Sequence, residues 1–87
     1  MHTAAEKRGH VLDITLDVVL ASYTGEREIH LELAENRPKI KVKNILDRLS
    51  IPPGMVGYIV AGGNLLEPED TVNAPCTMRM FGIYDGG

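Results

Sequence analysis

The chain has 87 residues, of which 44% are hydrophobic and 24% are charged, and its formal net charge is −3. This length fits one globular domain and excludes a second, while the composition excludes a disordered or low-complexity chain. Because Lys and Arg are spread along the sequence, and because no apolar run approaches the roughly 20 residues that span a bilayer, we expect neither nucleic acid nor a membrane as a partner.

Residues 1–10 are polar and lack the apolar stretch that a secretory signal requires. We therefore expect a flexible N-terminal segment and a cytoplasmic protein. The single cysteine, Cys76, excludes an internal disulfide, and a partly buried position at a strand edge is favoured over a reactive thiol. His2, His10 and His30 lack the spacing of metal ligands, so no metal site is predicted.

The first two predicted elements form a β-hairpin. Every even position in 11–20 is apolar and most odd positions there are polar, which predicts a half-buried strand. Residues 22–25 have the chemistry of a turn, and the apolar residues of 29–33 alternate again, with His30 on the exposed side.

The period then changes to that of a helix. Val42, Ile45, Leu46 and Leu49 are spaced at i, i+3, i+4 and i+7, which places them on one helical stripe. Consecutive prolines at 52–53 end this helix. It has only about ten residues, so it depends on tertiary packing.

The second half of the chain is predicted to be mainly strands. Residues 55–61 are apolar and resemble a buried strand, Gly62 and Gly63 supply a turn, and 65–66 form a short strand. The acidic residues of 67–70 are predicted to form a solvated loop, in preference to a site for a basic partner.

A last strand is predicted over 77–84, with Met78 and Met80 facing the core and Arg79 and Phe81 on the other side. The order of elements predicts an α+β fold, with one main helix packed on one face of a mixed sheet of four to five strands. The opposite face of the sheet is left to water or to another protein.

These elements resemble the ubiquitin-like β-grasp fold, and more narrowly the MoaD/ThiS family of small sulfur carriers. The resemblance is most specific over 56–66, a strand followed by a turn and a Leu-Leu pair, and in the final Gly86-Gly87. It covers about 11–87, with 11–82 as the domain and 83–87 as a flexible tail. Where the family usually has Gly-Asp before the last strand, this chain has Pro75-Cys76. The length and the first hairpin favour the MoaD side, the small subunit of molybdopterin synthase, over the thiamine carrier ThiS.

The resemblance implies that a ubiquitin-activating-type enzyme uses ATP to adenylate the carboxylate of Gly87. A sulfur donor then converts it into a thiocarboxylate, which serves a sulfur-accepting synthase subunit in cofactor biosynthesis. The chain itself would be a carrier and not an enzyme, with no catalytic side chain and no bound cofactor. The resemblance also allows the chain to be the non-catalytic small subunit of a synthase.

The residues of the tail suit such a use. Gly86 and Gly87 lack Cβ atoms, so this backbone can enter a slot too narrow for other residues. An extended segment from Gly82 to Gly87 spans roughly 20 Å, which is enough to reach a partner's active site. Gly82 is predicted to be the flexible joint between the strand and the tail. Asp85 brings negative charge beside the reacting end, so a partner with Arg or Lys there is expected.

Phe81, Ile83 and Tyr84 are predicted to dock on the partner. For Phe81 and Ile83, burial in the core is an equally open alternative. Two other functions also stay open: a ubiquitin-like modifier joined through Gly87 to lysines, and a plain interaction domain. An enzyme is least favoured, because no nucleophile, base and orienting group occur at a recognisable spacing. The sequence predicts neither the pathway served nor the oligomeric state.

Overall fold

The structure is a computed structural model that describes residues 10–83. Seven strands, two α-helices and one 3-10 turn follow one another within this range. In chain order they are β1 (Val11–Leu16), α1 (Val18–Thr24), β2 (Glu28–Glu32), β3 (Lys39–Lys41), α2 (Val42–Leu49), the 3-10 turn (Pro53–Met55), β4 (Val56–Ala61), β5 (Asn64–Leu66), β6 (Thr71–Asn73) and β7 (Cys76–Gly82).

The main sheet has five strands in the order β2-β1-β7-β4-β5. Its central pair, β1 and β7, is parallel, and the other neighbours are antiparallel. A second sheet pairs only β3 with β6. The predicted α+β architecture, a mixed sheet with a main helix on one face, is confirmed.

The core lies between the main sheet and α2. The inward residues of β1 and β7 alternate with polar or exposed ones, and α2 supplies one apolar stripe, so each element buries a single side. Burying each large apolar side chain stabilises the fold by about 1.5–3 kcal/mol. The residues that are almost fully buried include Leu12, Ile14, Leu16, Leu20, Val42, Ile45, Leu46, Met78 and Met80. The predictions of a helical stripe and of core methionines are therefore confirmed.

The segment after β1 is a helix, so the predicted strand is confirmed over 11–16 but its extension to residue 20 was wrong, and so was the predicted turn over 22–25. The strand ends at Leu16, and the Asp17 carboxylate caps α1 by accepting a hydrogen bond from the Leu20 amide at 2.9 Å. Gly25 closes the helix in the left-handed conformation, at φ 82°. Leu20 is buried from the helix instead of from a strand. The antiparallel pairing of β1 with β2 is as predicted.

Strand β4 differs from the fully buried strand that its apolar composition predicts. Only Ile59 is buried, and Tyr58 remains 53% exposed. The reason is that the helices within residues 10–83 lie on one face of the main sheet, so alternate residues of β4 face away from them. The predicted turn is confirmed: Gly62 and Gly63 both have positive φ, which a two-residue hairpin loop of type I′ requires.

The acidic loop before β6 has basic partners within the chain. Glu69 forms ion pairs with Lys43 at 3.1 Å and with Lys41 at 3.5 Å. The hydrogen bond and charge of Lys43, with a smaller contribution from Lys41, lower the pKa of Glu69. These contacts tie the loop to the start of α2 while leaving the three side chains solvated, in line with the solvated loop that was predicted.

Candidate docking surface and C-terminal exit

Strand β7 carries the chain out of the middle of the main sheet. It runs parallel to β1 on one side and antiparallel to β4 on the other, and it ends at Gly82. The next amide, of Ile83, donates to the Met55 carbonyl at 3.0 Å, while the Ile83 side chain is 47% exposed. The end of β7, which we call the exit, is therefore held by hydrogen bonds from the last two described residues, Ile83 and Gly82.

Most of the predicted tail lies outside the described residues. Tyr84, Asp85, Gly86 and Gly87 fall in this group, and so do residues 1–9 of the predicted N-terminal segment. The sulfur-carrying role of Gly87, the basic partner expected for Asp85 and the docking role of Tyr84 stay predictions.

Gly82 is not the flexible joint that the sequence predicts. It is buried in β7, and its amide donates to the Asp17 carboxylate at 2.8 Å. A Cβ atom here would lie 2.7 Å from Cγ1 of Val19, closer than two such carbons can approach. Glycine is thus required for close contact between the end of β7 and the first turn of α1.

An apolar patch lies on the open face of the sheet beside this exit. Its centre is the pair Tyr58 and Phe81, whose rings stack with centroids 4.7 Å apart and an interplanar angle of 22°. Val60 follows Tyr58 on the same face of β4 and pairs with Leu65 of β5, which is 71% exposed. Together with Ile83, these five residues form what we call the exit patch. Neither Phe81 nor Ile83 belongs to the buried core.

A groove of about 200 Å³ borders the exit patch at Phe81. Arg27 and Arg79 line it together with Thr15 and Asp17. Both arginines are exposed, and Arg79 lies in register with Thr15 on β1 and Val60 on β4. The apolar surface next to the exit therefore has a positively charged margin.

The remaining candidate groups form no reactive centre. Cys76 is half-buried, and burial raises the pKa of its thiol, which disfavours the nucleophilic thiolate. The exposed His30 contacts Asp13 through Nδ1 at 2.6 Å. Within residues 10–83, no group of three His, Cys, Asp or Glu side chains is arranged to hold a metal ion. Nor does any helix in that range have the length and apolar character needed to cross a membrane.

Sequence reasoning found part of the exit patch. Phe81 was named because it faces away from the core methionines and Ile83 because it lies next to the tail, whereas Tyr58, Val60 and Leu65 were missed. The available signal was the alternation of Tyr58 and Val60 around Ile59. It was hidden because every residue of 58–61 is apolar or aromatic, so the strand read as buried on both faces.

No family model matches the sequence, and no curated protein was found to match it. Among solved structures, the chain is similar to that titled "Crystal structure of SAMP1 from Haloferax volcanii", with a TM-score of 0.64 and 15% sequence identity. The match covers 88% of this chain and 99% of the SAMP1 chain. This likeness concerns the fold, and it agrees with the strand order and helix placement described above: the chain has a ubiquitin-like β-grasp fold.

Proposed function

We propose that this chain is a ubiquitin-like carrier whose Gly87 carboxylate is adenylated by a partner enzyme and converted into a thiocarboxylate. The observation that carries the proposal is the position of β7 at the centre of the sheet, where it ends beside the stacked pair of Tyr58 and Phe81. Residues 84–87 follow Ile83, and in extended form these four residues place the Gly87 carboxylate about 13 Å from Ile83. A partner seated on the exit patch is thus within reach of the terminal carboxylate.

The chemistry requires no side chain of the carrier. A Gly87 carboxylate oxygen attacks the α-phosphate of ATP, and the bond from that phosphorus to pyrophosphate breaks. The resulting acyl adenylate has a good leaving group, which a free carboxylate lacks. Hydrosulfide released by a donor then attacks the acyl carbon, and the bond from that carbon to the bridging oxygen breaks. AMP departs with the bridging oxygen, and loss of the sulfur-bound proton leaves the thiocarboxylate. Adenylation and sulfur delivery belong to the partners, so the carrier is a substrate and not an enzyme.

The exit patch is the surface on which we expect the adenylating enzyme to dock. Tyr58 and Phe81 present stacked aromatic rings, a residue type that often dominates the free energy of protein association. Ile83 extends this surface toward Tyr84, which we expect to contact the entrance of the partner's channel. Asp85 would meet an Arg or Lys side chain inside it.

A second candidate is a protein modifier, and the fold likeness to SAMP1, a ubiquitin-like small archaeal modifier protein, is the observation that favours it. The adenylation step is the same. A lysine amine of a target protein then takes the place of sulfur and forms an isopeptide bond with Gly87. Among sulfur pathways, the resemblance to MoaD favours a molybdopterin-type synthase over thiamine synthesis.

Intact mass spectrometry separates these functions. The protein is incubated with ATP, a sulfur donor and the adenylating enzyme purified from the same source organism. Replacement of one oxygen by sulfur supports the carrier, and adducts with larger proteins support the modifier when target proteins are added. An unchanged mass under all conditions contradicts both and leaves a plain interaction domain.

The matched control is deletion of Gly87. We expect it to abolish either product while leaving the unfolding transition unchanged, because Gly87 lies beyond the last strand. A deletion variant that is still modified would contradict the assignment of the reacting carboxylate to Gly87.

A further inference from the structure

Asp17 connects two parts of the chain that are far apart in sequence. One of its carboxylate oxygens accepts from the Leu20 amide at 2.9 Å and so caps α1. The other accepts from the Gly82 amide at 2.8 Å, across 65 positions of sequence. The Asp17 amide also donates to the Met80 carbonyl at 3.2 Å. A single residue thus joins the first turn of α1 to the last residues of β7.

Residues of α1 and of the 3-10 turn contact the end of β7 on either side of Asp17's bond to Gly82. Val19, in the same turn of α1, lies so near Gly82 that no Cβ atom fits between them. From the 3-10 turn that precedes β4, the Met55 carbonyl accepts from the Ile83 amide. Two consecutive amides, those of Gly82 and Ile83, are therefore held by different elements at the end of the described chain.

We propose that Asp17 is a positioning residue that fixes the point from which the C-terminal segment departs. This inference rests on the proposed function, because a fixed exit matters only if the segment must deliver its end to another protein. If residues 81–82 of β7 detached from the sheet, the origin of the segment would shift by about 7 Å. A longer and less directed segment lowers the effective concentration of the carboxylate in the partner's active site.

Helix α1 thereby gains a role that its small buried surface does not explain. Its buried residues are Leu20 and Ala21 alone. Hydrogen bonds to an ionised acceptor are stronger than bonds between neutral groups, so a carboxylate is well suited to hold a strand end. The helix supplies Asp17 and Val19 on its N-terminal side, and both contact Gly82.

Asp17→Asn distinguishes the two bonds that Asp17 accepts: the helix cap, which is the bond from Leu20, and the anchor, which is the bond from Gly82. Asparagine is as good an N-cap as aspartate, so its amide oxygen can keep the bond from Leu20. Its NH₂ group then faces the Gly82 amide, and two donors cannot bond to each other. Asp17→Ala removes both bonds. Asp47→Asn is the matched control, since Asp47 is an exposed residue of α2.

Amide hydrogen exchange of the full chain tests the anchor without any partner. In Asp17→Asn we expect the Gly82 and Ile83 amides to exchange at least tenfold faster, while the Leu20 amide stays within about twofold of wild type. Asp17→Ala should speed all three, and Asp47→Asn none. Unchanged exchange of the Gly82 amide in both Asp17 variants overturns the inference.

Adenylation by the purified activating enzyme tests the consequence for function. We expect Asp17→Asn to lower kcat/KM about tenfold, mainly through kcat, because Tyr58, Val60 and Leu65 keep their places on β4 and β5 while the carboxylate is misplaced. A wild-type kcat in a variant whose Gly82 amide exchanges faster overturns the positioning role. If the wild-type chain itself is not adenylated, the proposed function fails and the positioning role with it. Faster exchange at Gly82 would then still establish the anchor.

Discussion

The two faces of strand β7 serve different purposes, although their residues alternate along the same short segment. Met78 and Met80 belong to the hydrophobic core and are almost fully buried, whereas Arg79 and Phe81 face the open side of the sheet. On the covered face a side chain contributes to stability by filling the core. On the open face it leaves the core intact and is available to a partner. Substitutions one residue apart should therefore affect either folding or binding, and the predictions below test this division.

The largest effect is expected from Met80→Ala on the covered face. Met80 is 0% exposed, so the substitution leaves a cavity among well-packed neighbours and should lower the free energy of unfolding by about 2–5 kcal/mol. Urea or thermal unfolding measures this loss. Adenylation of the fraction that remains folded should be unchanged. A stability close to wild type would contradict the position of Met80 in the core.

Phe81→Ala should show the opposite pattern. Loss of the aromatic contact is expected to weaken binding of the adenylating enzyme by about 2 kcal/mol or more. The free energy of unfolding should fall by only about 1 kcal/mol, because Phe81 is half-buried and stacks on Tyr58. Calorimetric titration measures the change in binding free energy, and urea unfolding measures the change in the free energy of unfolding.

Tyr23→Ala is the matched control for this pair of measurements. Tyr23 is an aromatic residue that is 41% exposed in α1, outside the exit patch. We expect its substitution to leave the affinity for the adenylating enzyme unchanged. Equal losses of affinity in the Tyr23 and Phe81 variants would contradict the placement of the docking surface.

Gly82→Ala tests the close contact at the point where the two faces meet the exit. The new Cβ atom would displace Val19, and such overpacking typically destabilises a protein by about 1–3 kcal/mol. Gly54→Ala is the control, because nothing lies within 4 Å of a Cβ atom at that position and its φ is not positive. Similar stabilities of the two variants, measured by thermal unfolding, would show that α1 yields easily at the end of β7.

The smallest effect is expected at Glu69, whose side chain is 69% exposed. Its pKa is lowered in the folded chain from the ordinary value of 4.5, so its ion pairs contribute to stability above that pH. The contribution is lost as the pH falls through the lowered value. The difference in unfolding temperature between wild type and Glu69→Gln should therefore be slight at pH 7, disappear in acid and shrink in high salt. A difference that grows in acid would contradict this sign.

Sequence patterns correctly predicted the elements whose conformation depends on residues close to them in the chain. The spacing of Val42, Ile45 and Leu46 predicted α2, and the glycine pair at 62–63 predicted the hairpin turn. Helix α1 was missed because the apolar residues at 18 and 20 continue the period of β1, and this pattern outweighed the capping signals of Asp17 and Gly25.

Features that depend on distant residues could not be predicted in this way. The three-residue strands β3 and β6 become recognisable only once they pair. The need for glycine at position 82 comes from Val19, and Tyr58 is exposed because the described helices lie on the opposite face of the sheet. Within the candidate site, Phe81 was predicted because it faces away from the core methionines, and Ile83 because it lies next to the tail. The residues that β4 and β5 add to the exit patch could be identified only from the paired strands.

The central place of β7 has a consequence for how the domain is completed. Until residues 76–82 are available, β1 and β4 each lack a neighbour, and the five-stranded sheet is reduced to the separate pairs β2-β1 and β4-β5. The open edges of such pairs readily bind other chains, so a nascent or truncated polypeptide that stops before Cys76 should be prone to aggregation. Insertion of β7 closes both edges at once, which makes completion of the sheet a single event.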